Sequence, residues 1–379
     1  MKKIFVMVLV LGLIFSLAAC QQNAQPPAAD QPAAEQPAAP APATPDEPAA
    51  DGAPVVGIST GSSGTSWRDI MIDGLVTVGD EYKAAGIISE YTIQNNVTNG
   101  DATEQANILR DFISQGVDII MANVNSSDAL NGVIREAQDA GILVVVFDAS
   151  CTAEGIVCVE QNQYAWNEKN VRAIAEIAGG AGNAIDVYGL DGHPGNIDRL
   201  TARDDVLKDY PDIVIINESS GGWDQTKAKE VATSMIGGGQ NIDIAFTQDG
   251  MAYGVLSAFQ DAGKLPQVMF GDPGTAFFKE WYKLRDEGAD FKAVTQANPP
   301  GISGTAFRIA LNLYKGMELS DETLANGRTT GGNIVVYANT TVFITDENFD
   351  EGWQLLKDQP DDYLLTEIWT QDQVNALFK

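Results

Sequence analysis

Basic residues and histidine are scarce in this chain. It has 23 lysines and arginines against 52 aspartates and glutamates, and one histidine, so its net charge is −29 over 379 residues. Nucleic acids are bound by cationic side chains that neutralise phosphates, and the sequence contains no cluster of such residues. Zinc tetrahedra are built mainly from cysteine and histidine, and these are too few here to complete one. We therefore predict no nucleic-acid partner and no metal site.

The phosphate-binding glycine motifs are also missing. The turn after the first predicted strand, Gly57–Gly64, completes neither the dinucleotide pattern G-x-G-x-x-G nor the P-loop, which disfavours nucleotide enzymes and cofactors. The same turn matches the nucleophile elbow G-x-S-x-G around Ser59, with Asp148 and His193 following in hydrolase order. A serine hydrolase is thus an alternative. Glycines that let a loop approach a ligand explain the turn more simply.

Long apolar runs are absent except at the start of the chain. Lys2 and Lys3 precede the apolar segment Ile4–Phe15, a pattern typical of an export signal. The closing Leu17–Cys20 resembles the bacterial lipobox, whose cysteine receives a lipid. We predict a signal peptide over residues 1–19 and lipidation at Cys20, which would hold the protein on the outer face of the cytoplasmic membrane or in the periplasm. A plain secretory signal is the alternative.

Residues 21–54 have the composition of a spacer. They hold 9 of the 16 prolines and 12 alanines, with no aromatic or large aliphatic side chain. Such a segment cannot form a core and favours extended polyproline II structure. We expect residues 20–54 to be a lipidated cysteine and a linker that lifts the folded part off a membrane.

Two cysteines remain, Cys151 and Cys158, separated by a short loop. In an oxidising compartment an even pair predicts a disulfide. Two buried free thiols are the alternative.

The rest of the chain alternates apolar, strand-like runs with amphipathic stretches of helical length, which predicts α/β lobes with parallel sheets. The strand-like runs are Val55–Ile58, Ile119–Ala122, Leu143–Phe147, Ala184–Tyr188, Ile213–Ile216, Ile242–Phe246 and Val268–Phe270. An internal repeat supports two lobes of one design. In the first half a strand ends at Asn123 and the next at Asp148, and in the second half the corresponding ends are Gln248 and Asp272. Open α/β sheets bind ligands at these ends of their strands.

Nearly all of residues 55–379 resembles the periplasmic sugar-binding proteins of the ribose-type ABC importers. The resemblance rests on the order and spacing of several short segments: Ser66–Arg68, Asn123–Ala129, Gly141–Asp148, Gly192–Asn196, Thr247–Ala252, Gly271–Asp272 and Thr295–Asn298. It implies two Rossmann-like lobes joined by a three-strand hinge. The first lobe would comprise residues 55–160 and about 297–338, and the second residues 161–296 and about 339–379.

The resemblance also implies a ligand site between the lobes. Sugars are bound by carboxylates, amides and arginines at their hydroxyls and by aromatic rings at their apolar faces. The residues expected at the site are Trp67, Arg68, Asn123, Asn125, Asp148, Asn196, Arg199, Trp223, Gln248, Asp249, Asp272 and Gln296. We expect reversible capture of a monosaccharide or polyol without turnover, no cofactor, a monomer, and delivery to a membrane permease of an ABC transporter.

Several alternatives stay open. Ala149 follows Asp148 where the family often has arginine, and Arg68 or Arg199 would compensate. Arg199 could instead form a surface ion pair, and Trp67 could be a core residue. Asp148 could cap a turn, Trp223 could begin a helix, and the register at Asp272 could slip by one residue. A sensor-type protein for a furanosyl signal or a cyclitol would share the same sequence features.

Overall fold

The computed structural model of the chain describes residues 52–61, 66–97, 100–330 and 332–379. The predicted signal peptide, Cys20 and nearly all of the linker lie outside these residues. Within the described ranges, no helix combines the length and the apolar character needed to cross a membrane.

Strands and helices alternate along most of the described chain. The strands are β1 (Val55–Ser59), β2 (Glu90–Gln94), β3 (Ile119–Ala122), β4 (Leu143–Phe147), β5 (Val157–Glu160), β6 (Ala181–Tyr188), β7 (Asp212–Ser220), β8 (Ile244–Thr247), β9 (Val268–Phe270), β10 (Lys292–Gln296), β11 (Arg328–Thr330), β12 (Asn333–Tyr337) and β13 (Phe343–Ile344). The helices are α1 (Ser66–Ala84), α2 (Ala102–Gln115), α3 (Asn131–Asp139), α4 (Gln163–Ile177), α5 (Pro194–Leu207), α6 (Gln225–Gly237), α7 (Ala252–Asp261), α8 (Thr275–Asp286), α9 (Ile302–Tyr314), α10 (Asp321–Asn326), α11 (Phe349–Leu356) and α12 (Gln371–Asn375).

The first lobe is built on a sheet with the strand order β11-β12-β5-β4-β3-β1-β2. Its neighbouring strands run parallel except β11, which is antiparallel to β12. Every residue of β3 is buried, as is nearly all of β4, because helices cover both faces of the sheet. Helices α1 and α9 pack on one face, and α2 and α3 pack on the other.

The second lobe repeats this design on a sheet with the order β13-β10-β9-β8-β6-β7. Only β13 is antiparallel to its neighbour. Helices α6, α7, α8 and α11 cover one face, and α4 and α5 cover the other. Each of the seven strand-like runs that we predicted coincides with a strand, although β8 begins two residues after Ile242, and the two-lobed parallel α/β fold is confirmed.

Three connecting segments join the lobes side by side, after β5, β10 and β12. The Ala338 amide donates to the Glu160 carbonyl at 2.8 Å, and the Ala297 amide donates to the Val342 carbonyl at 3.2 Å. Side chains reinforce the backbone contacts: Asn339 Oδ1 accepts from the Asn162 amide at 2.9 Å. This is the three-strand hinge that the fold requires.

The C-terminal segment makes a fourth crossing, which corrects our expectation that residues 339–379 belong to the second lobe. Leu365 packs in the core of the second lobe. Trp369, Val374 and Phe378 instead pack in the core of the first, and the Trp369 amide donates to Thr305 Oγ1 at 2.9 Å. The physical reason is that apolar side chains near the chain end pack with α9 in the first-lobe core and so become buried.

The predicted disulfide is wrong for this structure, in which Cys151 and Cys158 are buried free thiols. The interaction between the two thiols lowers the pKa of Cys151 and raises that of Cys158, with burial adding to the rise at Cys158. Asn333 Nδ2 also donates to the Cys151 carbonyl and lies 3.6 Å from Cys158 Sγ. The two buried cysteines therefore have polar contacts without a disulfide bond between them.

Candidate ligand-binding site

Polar side chains from both lobes meet where the parallel strands end and the hinge begins. In the first lobe they follow β3 and β4 or lie on α1. In the second lobe they follow β8 and β9, or lie on α5 and on the loops after β6 and β7. This is the edge at which open α/β sheets bind ligands.

Arg68, Asn123 and Asp148 form one cluster in the first lobe. An Arg68 Nη atom donates to Asn123 Oδ1 at 2.6 Å and lies 3.7 Å from Asp148 Oδ2. Asn123 Nδ2 donates to the Phe147 carbonyl at 3.0 Å, which ties the ends of β3 and β4 together. Asp148 has a φ of 53°, a conformation that residues other than glycine rarely adopt. The cluster is thus held by specific contacts in a conformation that the free chain would not favour.

The charge of Asp148 is influenced by residues of both lobes. Burial raises the pKa of Asp148 to about 6, and Arg68 opposes this rise. Asp249 raises the same pKa further, and Arg199 lowers it, although both residues belong to the second lobe. Charged groups of the two lobes are therefore close enough to influence each other's ionisation.

Trp67 links the first lobe to the hinge. Its indole Nε1 donates to the Asn298 carbonyl at 2.9 Å, and the Arg68 guanidinium lies 5.1 Å from the centre of its ring. The ring also packs against the core of the first lobe. Trp67 is consequently half-buried, with one face against protein and its polar edge at the segment between β10 and α9.

Asn125 lies beside this cluster, where the loop after β1 passes very close. A Cβ atom added to Gly61 would lie 2.1 Å from Asn125 Oδ1, so only glycine fits there. Within the described ranges, the buried Nδ2 atom of Asn125 and the buried Oε1 atom of Gln296 on the hinge have no hydrogen-bond partner. Buried polar atoms are nearly always paired, so these two atoms mark places for a ligand or water.

Arg199 is the centre of the second-lobe site. It is only 2% exposed. Its Nε donates to Gln163 Oε1 at 2.9 Å, one Nη donates to Gln248 Oε1 at 3.2 Å, and the same Nη pairs with Asp249. Its guanidinium also lies 4.2 Å from the centre of the Trp166 ring. The alternative of a surface ion pair is therefore wrong: Arg199 is buried and organises the site.

Gln248 is held by two further partners. Trp223 Nε1 donates to its Oε1 at 2.8 Å, and its own Nε2 donates to Asn196 Oδ1 at 2.8 Å. Asn196 Oδ1 in turn accepts from the Gly189 amide at 3.0 Å. Both the orientation of the Gln248 amide and its distance from Arg199 are fixed by these contacts.

Trp223 precedes helix α6, whose N-cap is Asp224, and has a φ of 58°. Its ring packs edge-to-face on His193 at 4.8 Å and so closely on Gly189 that an added Cβ would lie 2.3 Å away. Partial desolvation, with Arg199 and Arg68 nearby, lowers the pKa of His193, although this side chain remains accessible to solvent.

Asp272 differs from the role expected for it. Its two carboxylate oxygens accept from the backbone amides of Gly250 at 2.8 Å and Tyr253 at 3.2 Å. Burial raises its pKa to about 7, and these hydrogen bonds oppose the rise. Asp272 thereby shapes the loop that carries Gln248 and Asp249.

Two site residues were not singled out from the sequence, Gln163 and Asn298. Asn298 Nδ2 donates to Asp249 Oδ2 at 3.2 Å, and Gln163 Nε2 donates to Asn298 Oδ1 at 3.4 Å. Both residues follow hinge segments. Proximity to the hinge is a sequence signal for both, and Asn298 also ends one of the segments that carry the family resemblance.

The arrangement suits an uncharged ligand with several hydroxyl groups. Each arginine has a carboxylate partner, so the described site carries little net charge. Ser59, the serine of the hydrolase alternative, is fully buried and receives a hydrogen bond from Gln105 Nε2 at 3.3 Å, whereas His193 lies in the other lobe. Among the described residues no cluster of metal-ligating side chains was found.

Comparison with known proteins decides the family. Residues 56–318 match the periplasmic binding protein domain family. The chain belongs to this family. A structure of an ABC transporter solute-binding protein from Thermobispora bispora is similar to this binding protein, with a TM-score of 0.70 and 25% identity over 85% of this chain and 94% of that one. Family membership confirms the expected resemblance and implies a location outside the cytoplasm. The family binds solutes and is not enzymatic, and the comparisons give no support for a hydrolase.

Two curated relatives bind small polyhydroxylated molecules. This chain is 29% identical over 182 residues to a xylitol-binding protein of Mycolicibacterium smegmatis. The match covers 47% of this chain and 52% of the relative. The chain is also 29% identical over 220 residues to a galactofuranose-binding protein of Escherichia coli, covering 56% and 68%. The chain thus spans about half the length of the xylitol-binding relative.

Proposed function

We propose that this binding protein captures an uncharged monosaccharide or polyol between its two lobes and delivers it to the permease of an ABC transporter. The observation that carries the proposal is the paired arrangement of Arg68 with Asp148 and of Arg199 with Asp249 on opposite sides of one cleft. A ligand that contacts both pairs favours the closed state, because only differential affinity shifts such an equilibrium.

In the first lobe, Asp148 and Asn123 would accept and donate hydrogen bonds to ligand hydroxyls, and Arg68 would hold both in place. Trp67 would present its ring to an apolar face of the ligand. Asn125 would use its unpaired Nδ2 on a further hydroxyl.

In the second lobe, Arg199, Asp249 and Gln248 would contact the ligand directly, while Asn196 orients Gln248. Trp223 would provide the second aromatic face. Gln296 would bond from the hinge through its buried Oε1, and Asp272 would act through the loop that it shapes.

Charge pairing supports a neutral ligand. An unpaired carboxylate or ammonium group placed between the lobes would meet an arginine or an aspartate already satisfied by its neighbour, and its desolvation would go uncompensated. The names of the xylitol-binding and galactofuranose-binding relatives agree with this class.

Lipidation at Cys20 and the proline-rich linker belong to the same proposal. The lipid would keep the protein at the membrane that holds the permease, and the linker would give the lobes room to close. We propose that the protein acts as a monomer.

The proposal is tested by isothermal titration of the purified protein with xylitol, D-galactose, D-ribose, L-arabinose and myo-inositol. D-Glucuronate and D-glucosamine serve as charged counterparts. We expect saturable binding of at least one neutral compound and none of the charged ones.

A matched pair of variants locates the site. Arg68→Met should abolish the binding, whereas Arg110→Met should leave it unchanged, because Arg110 pairs with Glu136 on the exposed surface of the same lobe. Absence of binding to every neutral compound by the folded protein would refute the proposal.

A further inference from the structure

A small polar cavity lies inside the second lobe, between α4 and the sheet. Its volume is about 10 Å³. Beside apolar side chains it is lined by the polar residues Asn167, Asn170, Asp186, Arg203, Thr247 and Gln248. Gln248 also belongs to the candidate ligand site, so the cavity lies directly behind that site.

Asn170 is the residue that requires an explanation. It is 1% exposed, and neither its Nδ2 nor its Oδ1 has a hydrogen-bond partner among the residues that the structure describes. Its neighbours on the same face of α4, Val171 and Ile174, are apolar and fully buried. A buried amide without partners is destabilising relative to an apolar side chain of similar size. An asparagine at this position therefore implies a partner in the cavity.

The cavity has the size and the lining of a site for one water molecule. A buried water needs a space of about 10–15 Å³ for its centre and two to four polar partners. Thr247 Oγ1 donates to the Val187 carbonyl at 3.1 Å and retains lone pairs to accept. Gln248 Nε2 gives one hydrogen to Asn196 and retains the other. Together with the Asn170 amide these groups supply three partners.

We infer that this cavity binds one water molecule, and that through it Asn170 is a positioning residue for Gln248. The water would receive the second hydrogen of Gln248 Nε2 and donate to Asn170 Oδ1 and to Thr247 Oγ1. Both polar atoms of the Gln248 side chain would then be fully hydrogen-bonded, since its Oε1 already accepts from Arg199 and Trp223. The effect on ligand affinity rests on the proposed function, whereas the water site itself does not.

The direct test is a crystal structure of the unliganded protein at a resolution that defines ordered water. We expect a water peak within hydrogen-bond distance of Asn170 and Gln248. Density showing no water in the cavity would overturn the inference, whether or not the protein binds any sugar.

Variants test the energetic role. Asn170→Leu should lower the melting temperature by about 2–4 °C, because it removes a partner of the water while the remaining polar groups stay buried. If no water were bound, the same substitution would remove an unsatisfied amide and raise the melting temperature. A rise would therefore contradict the inference.

Affinity separates a positioning role from a merely structural one. For each neutral compound of the panel that the wild type binds, Asn170→Leu should raise the Kd by about threefold to tenfold. Asn170→Ser, which keeps a hydroxyl and leaves room for water, should restore most of the affinity. Ile174→Val removes one methylene from the same cavity wall and should leave the Kd unchanged. Equal affinity of Asn170→Leu and Ile174→Val would overturn the positioning role.

Discussion

Replacing Asp148 with asparagine should stabilise the protein at neutral pH while weakening its binding of ligand. Asparagine has the shape of a protonated aspartate and, like aspartate, can adopt the positive φ of this position. Its Oδ1 can still accept from Asn123 Nδ2, which lies 3.5 Å from Asp148 Oδ2, but it lacks the negative charge that burial makes costly. The substitution therefore removes the charge that we propose contacts the ligand and should stabilise the fold.

The magnitude follows from the pKa of Asp148. Burial, partly offset by Arg68, raises this pKa from 3.8 to about 6. Between these values the folded protein binds a proton that the unfolded chain has released, so stability falls as the pH rises through this window. A difference of about two pH units corresponds to about 3 kcal/mol above pH 6. The attraction of Arg68 is already included in the raised pKa.

Urea unfolding of the wild type and of Asp148→Asn at several pH values between 4 and 7.5 measures the effect. The free energy of unfolding should differ by about 3 kcal/mol in favour of the variant at pH 7 and converge toward pH 4. Other titrating groups, including His193 and Asp272, are common to both proteins and cancel in the difference. Asp139→Asn, an exposed position on α3, is the control.

Two results would refute this reasoning. One is a stability difference that does not change with pH, and the other is a variant less stable than the wild type at pH 7. Retention of full ligand affinity by Asp148→Asn would separately contradict the role proposed for its carboxylate.

Three further predictions concern other parts of the fold. Trp223→Phe keeps a ring beside His193 but loses the N–H donor to Gln248, so titration calorimetry should show a Kd raised by about fivefold, and an unchanged Kd would exclude Trp223 from the site. Arg203→Met leaves the buried Asp186 without its ion-pair partner and should lower the free energy of urea unfolding by about 3–5 kcal/mol. The double variant Arg203→Met with Asp186→Val should recover most of this loss. No recovery would show that the unpaired Asp186 was not the cause. Deleting residues 368–379 removes two buried apolar side chains of the first-lobe core and should lower the free energy of unfolding by about 3–5 kcal/mol in the same assay. An unchanged urea midpoint would contradict the fourth crossing.

Much of the fold could be predicted because its central strands are continuous apolar runs. β3 and β4 are buried on both faces, so their sequences have no helical periodicity, and Asn123 and Asp148 directly follow them at the carboxyl edge of the sheet. β2 was not predicted, because this edge strand reads Glu-Tyr-Thr-Ile-Gln and is largely accessible.

The rest of the site depends on tertiary contacts that the sequence does not encode locally. Gln163 and Asn298 reach Arg199 and Asp249 only because hinge segments bring them there. A strand-end carboxylate such as Asp272 looks the same in sequence whether it faces a ligand or the backbone amides of a neighbouring loop. The fourth crossing was missed for a similar reason, since a short amphipathic segment packs equally well on either lobe.

The fourth crossing brings the last described residue onto the same lobe as the first strand. The Lys379 amide donates to the Glu318 carbonyl at 2.9 Å, and Val55 begins β1 of the same sheet. A fluorescent protein fused after Lys379 would therefore travel with the first lobe, as would a tether attached before Val55. A sensor that reports ligand capture by a change in the distance between two fluorophores needs its second fluorophore on the second lobe, for example on the exposed end of α7.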